Sequence, residues 1–317
     1  MIEIVLGVDD LASIRFAVSP LQETCHSLWA LRDPGDFPLH LRWLRRVRGL
    51  LPQLDGEILG ALVSERRWLP DFITPRPQAR MVEMTQELQA VRATDPGTVR
   101  RDLDAAYRGQ SMPEVLHGDA QALRDRIADA LEAYWRAALE PYWPRMRGVL
   151  EADILHRAQL LADGGAAALF AGLHPNVRWE SGVLRLHPMG TDGRVQTGTG
   201  LTLCPTLFGR KATAPIGEVP RVDYPARGVA TLWEAVQPPP AGALAALLGR
   251  PKAALLAALD TPESTGTLAR VLGVTPGAVS QHLGVLAACG LVTRARAGRH
   301  VLYARSELGD RLAGRTD

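Results

Sequence analysis

Lysine is almost missing from this chain: Lys211 and Lys252 are the only two, so arginine carries nearly all of the positive charge. Together with abundant Ala, Leu and Gly, that bias is the codon signature of a GC-rich bacterial genome and says nothing of chemistry. Cysteine is scarce as well. Cys25, Cys204 and Cys289 stand far apart with no C-x-x-C pair, which argues against a disulfide framework or a sequence-local metal cluster and fits a reducing cytoplasm. No apolar run approaches the roughly 20 residues that a membrane span needs. Acidic residues fall within the first ten positions and no basic leader precedes an apolar run, so the start does not read as a signal peptide. A surplus of one charge is missing too: 36 Lys+Arg face 34 Asp+Glu, a net charge of +2, and a nucleic-acid surface must therefore come from local segregation. H-E-x-x-H, G-x-S-x-G and G-x-x-x-x-G-K-[ST] are absent, and Gly198-Thr-Gly200 is too short for a dinucleotide fingerprint. The sequence accordingly assigns no catalytic residue, metal ligand or cofactor.

What is present is ample apolar material. With 317 residues, 46% of them hydrophobic and 22% charged, the chain has room for two domains with real cores. Ile2 to Leu6 alternates as a strand does, and Asp9 or Asp10 then predicts a capped helix through Leu11, Ile14 and Phe16. Amphipathic segments follow around 21–31, 39–51, 55–63, 79–91 and 98–107. In the second of these, Leu41, Leu44 and Val47 are spaced as a buried stripe with arginines outside. Two longer helices are predicted next: Asp119 to Leu139, and, beyond Pro141 and Pro144, a run that gives way to strand patterning after Gly164-Gly165. His117-Gly118-Asp119 reads as a turn into a helix cap. Val183 to Leu186, Leu201 to Leu207 and Val219 to Tyr224 read as strands, with a hairpin signal at Thr191-Asp192-Gly193 between the first two. Residues 1–235 are therefore expected to form one α+β domain, mostly helical with a small sheet made from its two ends, and Pro238-Pro239-Pro240 a stiff connector.

Residues 241–308 predict a winged helix-turn-helix. After two short apolar helical runs, Ser264 or Thr265 caps a helix through Leu268 and Leu272 that Gly273 ends. Thr275 is then an N-cap and Pro276 the first residue of a second helix, where the missing N–H costs nothing. Val279, Leu283 and Leu286 recur at i, i+4 and i+7 and face the first helix. The opposite edge, Thr275, Gly277, Ala278, Ser280 and Gln281, is small and polar enough to enter a major groove, with His282 at its border. Gly290 stops the helix, and LVTRARAGRHVLYAR alternates as a hairpin with Arg294, Arg296, Arg299 and His300 clustered near its tip, a composition suited to phosphates or a narrow minor groove. From 241 to 317 nine bases face five acids, a local charge of about +4.

The stretch TLARVLGVTPGAVSQHLGVLAACGLVTRARAGRHVLYAR resembles the winged helix-turn-helix of ArsR-like bacterial transcriptional repressors. The capped turn, the V-S-x-H-L run, the C-G-L-V helix stop and the R-x-G-R wing occur in order and at the right spacing. The resemblance implies a homodimer that binds double-stranded DNA at an inverted repeat and represses until a signal releases it. No Cys-rich box precedes the turn, where metal-sensing members carry one. Arg15-Phe-x-x-Ser-Pro-Leu21 and Asp223-Tyr-Pro-Ala-Arg-Gly228 resemble, less specifically, an uncharacterised domain found ahead of such motifs. That N-terminal region is expected to sense a small-molecule effector or to fix the dimer, and the aromatic group Trp135, Tyr142 and Trp143 marks the hinge of the two long helices as a candidate pocket. A second reading, an enzyme with an appended DNA-binding or autoregulatory tail, stays open at this point.

Overall fold

The computed structural model describes residues 1–187, 192–196, 198–215, 220–233, 242–297 and 300–313. The chain divides into two compact units, Met1–Glu234 and Ala235–Asp317. The tri-proline connector lies outside the described residues.

The first unit is α+β. It opens with β1 (Ile2–Val5), α1 (Val8–Ala12) and β2 (Arg15–Phe16), followed by the helices α2 (Pro20–Arg32), α3 (Leu41–Leu50), α4 (Gly56–Ala61), α5 (Met84–Arg92), α6 (Pro96–Ala106), α7 (Ala120–Ala138) and α8 (Trp143–Leu173). Local signals set these boundaries: Ser19, Asp55, Asp95 and Asp119 each accept a backbone N–H at the start of a helix, and Pro20 and Pro96 occupy first-turn positions. The predicted first helix is shorter than its apolar spacing allows. It ends at Ala12, and Phe16 is instead in a strand, because Arg15 and Phe16 find the parallel partners Thr202 and Leu203 nearly two hundred residues on. The helix expected from about residue 79 begins only at Met84, since Val18 draws Met81 into an isolated bridge. In α3 the stripe is Trp43, Leu44 and Val47; Leu41 is exposed.

Helix α8 does not stop at the glycine pair. Gly165 takes φ 67°, a conformation open to glycine, and the helix resumes in a new direction to Leu173. Met146, Leu150 and Ile154 before the kink join the helical core, whereas Leu169, Phe170 and Leu173 after it join a second core beneath the strands. One kink thus serves two cores.

Five further strands follow: β3 (Val177–Glu180), β4 (Val183–Leu186), β5 (Gly193–Gln196), β6 (Thr202–Thr206) and β7 (Arg221–Pro225). They belong to two sheets rather than one. The first has the order β3-β4-β1-β5, with β1 antiparallel to β4 and parallel to β5; the second has the order β2-β6-β7 and is parallel throughout. The expected hairpin between residues 183–186 and 202–206 is therefore not formed, because β4 and β6 lie in different sheets and Gly193 opens a strand of its own; Thr191 lies outside the described residues. Strands β6 and β7 are buried on both faces, as parallel strands are.

Polar groups are buried beside these strands. Glu23 of α2 accepts Leu207 N at 3.0 Å, Glu87 of α5 accepts Leu21 N at 2.9 Å, and Arg221 is ion-paired with Asp223 at 3.0 Å and donates to Thr74 O at 2.9 Å. His26 Nδ1 lies 3.0 Å from Thr206 Oγ1, and its Nε2 lies 3.9 Å from Asp223. A Thr-His-Asp succession has the order of a hydrolytic triad. Each of the three side chains is nevertheless buried, and the succession ties α2 to β6 and β7.

The second unit contains α9 (Ala243–Leu248), α10 (Arg250–Ala258), β8 (Glu263–Ser264), α11 (Thr265–Leu272), α12 (Pro276–Ala288), β9 (Val292–Ala297), β10 (His300–Arg305) and α13 (Glu307–Leu312). Leu255, Leu256, Leu259, Leu268, Val279, Leu283, Leu286, Leu291 and Val292 form its core.

Candidate nucleic-acid interface

Ser264 Oγ accepts Thr267 N at 3.2 Å and starts α11; Gly273, at φ 65°, ends it in the left-handed conformation that glycine adopts without cost. Two residues later Thr275 Oγ1 accepts Ala278 N at 3.3 Å and Pro276 opens α12. The turn is thus built from four local backbone choices. Val279 and Leu283 are wholly buried and Leu286 nearly so, in the same cluster as Leu268 and Ala269 of α11, which fixes the rotation of α12 about its axis. That rotation leaves Thr275, Gly277, Ser280 and Gln281 exposed, with Ala278 and His282 half-buried at the margins.

Gly290, at φ 71°, closes α12, and Leu291 N donates back to Leu286 O at 2.9 Å. Strands β9 and β10 then pair antiparallel, with Arg294 opposite Tyr303 and Arg296 opposite Val301, while β8 adds a third strand beside Leu302 and Tyr303. Arg294 and Arg296 alternate onto one face of β9 and are both exposed, and neither forms an ion pair among the described residues. Arg299 lies outside the described residues; the backbone of His300 begins β10.

Residues 255–294 match the family model of the bacterial regulatory protein, arsR family. The matched segment starts in α10, spans the helix-turn-helix and ends at Arg294 in the wing. It supports a DNA-binding transcription regulator. No family model matches ahead of the arsR-family segment, and no curated protein and no solved structure matches the chain. Among the described residues, no single helix is long and apolar enough to cross a membrane.

Two residues of the second unit were not singled out by the sequence reading. Arg305 looks like a further wing base, yet its side chain is 5% exposed: Nη2 meets Asp260 at 2.6 Å, Nε meets Asp310 at 2.7 Å, and Nη1 donates to Leu256 O at 2.9 Å. Burial works against its charge, and the two carboxylates more than offset that, holding its pKa above the ordinary arginine value. Arg305 clamps the wing root and adds nothing to the surface charge. Gly284 is the other. It sits in the interior of α12 on the stripe of Gly277 and Gln281, where a glycine costs a helix roughly 0.5–1 kcal/mol relative to alanine, and a Cβ placed there meets nothing within 4 Å. The protein itself gives no packing reason for that glycine. Gly284→Ala is expected to stabilise α12 by about 0.5–1 kcal/mol, read as slower amide hydrogen exchange, and, if the stripe enters a groove, to weaken duplex binding as well. Full affinity in the stabilised variant would place that stripe away from DNA.

In the first unit, Trp135 packs edge-on against Trp143 with ring centroids 5.2 Å apart, and Tyr142 packs edge-on against Trp233 at 5.3 Å. All belong to, or lie against, the helical core. A cavity of about 420 Å3 is lined by other residues, Arg15, Phe16, Arg76 and Arg80 among them.

Proposed function

We propose that the protein is a bacterial transcriptional repressor that binds an inverted-repeat operator as a homodimer and is controlled through its N-terminal unit. The observation that carries this reading is the exposed edge of α12, from Thr275 to Gln281, standing next to a wing whose Arg294 and Arg296 have no carboxylate partner among the described residues. Gly277 and Ala278 let the backbone approach the groove floor. Gln281 spans N6 and N7 of an adenine, Ser280 meets a base edge or a phosphate, and Thr275 and His282 donate to phosphates at the ends of the contact. Arg294, Arg296, Arg299 and His300 follow the backbone into the neighbouring minor groove. Twofold symmetry of the dimer places a second copy of this surface one helical turn along the duplex. The N-terminal unit holds the effector or the dimer contact.

A gel shift against DNA upstream of the protein's own coding region, followed by selection of bound genomic fragments, tests the reading. Gln281→Ala is expected to cost roughly 1–3 kcal/mol at one base-pair position in each half-site and to leave binding to unrelated duplex unchanged. Equal losses on all sequences would remove Gln281 from base readout, and failure to shift any duplex at low salt would overturn the regulator.

A further inference from the structure

We propose that the cavity between β2 and the segment 76–80 binds a small organic anion, a carboxylate or phosphate carried on an apolar body. This rests on the regulator reading only in naming that anion as the effector. The walls are well defined. On one side run Arg15, Phe16 and Ala17 of the sheet edge with Thr202 of β6; on the other run Arg76, Pro77, Gln78, Ala79 and Arg80. The second wall is held from both ends: Arg221, ion-paired with Asp223, donates to Thr74 O at 2.9 Å, and Val18 N donates to Arg80 O at 2.9 Å. About 420 Å3 lies within the range of small-molecule sites.

The charges around it all have one sign. Three arginines, Arg15, Arg76 and Arg80, line the space, and among the described residues no carboxylate lines it and none pairs with any of the three. Arg76 bonds Thr202 Oγ1 at 3.2 Å through Nη2, while its Nε is buried with no hydrogen-bond partner among the described residues. Burial, then the charges of Arg15 and Arg221, hold the Arg76 pKa below the ordinary arginine value. Like charges gathered around a concave space repel until an anion enters, and a bidentate carboxylate or phosphate is what guanidinium groups match best. Phe16, Pro77 and Ala79 offer the apolar surface that a bare inorganic ion would not use. A concave site of this volume favours a small molecule over a duplex backbone.

The test is calorimetric titration of the full chain with benzoate and with phenyl phosphate, using benzamide as the uncharged control. Saturable binding of at least one anion but not of benzamide is expected. Arg15→Gln and Arg80→Gln, at exposed side chains that make no ion pair among the described residues, should each weaken it ten-fold or more, with thermal unfolding confirming that both variants fold. No saturable heat with either anion, or equal affinity in the variants, overturns the assignment. So does displacement of the bound anion by a short duplex, which would make the surface a nucleic-acid contact. Gel shifts on the same preparations separate the two claims. A chain that shifts its operator but takes up no anion loses only the cavity assignment; one that takes up the anion but shifts no duplex loses only the regulator.

Discussion

Replacing Arg294 and Arg296 together by alanine is expected to weaken duplex binding roughly 30-fold at 0.15 M salt, and to do so on every sequence alike. The size follows from counterion release. Each neutralised phosphate adds about 0.9 to the slope of log K against log salt, so two lost contacts lower the slope by about 1.8 and leave the affinities converging near 1 M. Both side chains are exposed and form no ion pair among the described residues, so their removal leaves the fold of the second unit intact. Arg305→Ala is the informative contrast. It takes the cation from between Asp260 and Asp310 and the donor from Leu256 O, and its loss of binding should therefore track loss of folded protein. A gel-shift series from low to high salt distinguishes the two: an unchanged slope in the double variant would put the wing off the DNA.

The helix-turn-helix was legible because its determinants are local. Ser264, Gly273, Thr275, Pro276 and Gly290 each act within four residues of themselves, and the i, i+4, i+7 spacing of Val279, Leu283 and Leu286 settles which side of α12 is covered. The first unit was legible as α+β, and most of its helices were placed, for the same reason. Of its sheets, only the joining of the opening strand to strands from the far end of the unit was legible; the split into two sheets and the pairing within them were not. Ile2–Val5 pairs with strands beginning at Val183 and Gly193, and Arg15–Phe16 with Thr202–Leu203; no short-range pattern records such distant partners, and a spacing of Leu11, Ile14 and Phe16 that suits a helix is overridden by them. Arg305 was missed for a related reason. In sequence it is one more arginine of the wing, and only the fold brings Asp260, 45 residues earlier, beside it. The three arginines of the cavity are likewise spread over residues 15–80 and meet only because Val18 and Arg221 hold the loop between them.

The buried carboxyls of the first unit make its stability depend on pH, and Glu23→Gln should remove the largest share of that dependence. Glu23 is 1% exposed. Burial pushes its carboxyl up to about 8 against the pull of Thr206 and Leu207, with the charge of Asp223 adding to the rise. Its pKa is thus higher folded than unfolded, so the folded chain keeps a proton that the unfolded chain releases above about 4.5. Its contribution is complete below that pH and is lost as the pH rises to about 8, at about 1.4 kcal/mol per pH unit and on the order of 5 kcal/mol in all. Glu87, pushed up by burial to about 7, acts in the same direction. His26 and His40, driven down by burial to about 3 and about 4, act in the opposite one: they stay neutral in the fold, and stability falls as the unfolded imidazoles protonate below about 6.5. The two pairs therefore offset each other between about 4.5 and 6.5, and above that range the carboxyls act alone. The amide that replaces the carboxyl keeps an acceptor for Leu207 N and has no proton to lose, so the variant's advantage over the natural chain should widen by about 1.4 kcal/mol per pH unit from about 5 to about 8 and then level off. All seven tryptophans lie between Trp29 and Trp233, so urea unfolding followed by their fluorescence reports this unit alone. A difference between the two chains that stays constant across that pH range would mean that Glu23 is ionised in the fold, with a cation near enough to hold it so.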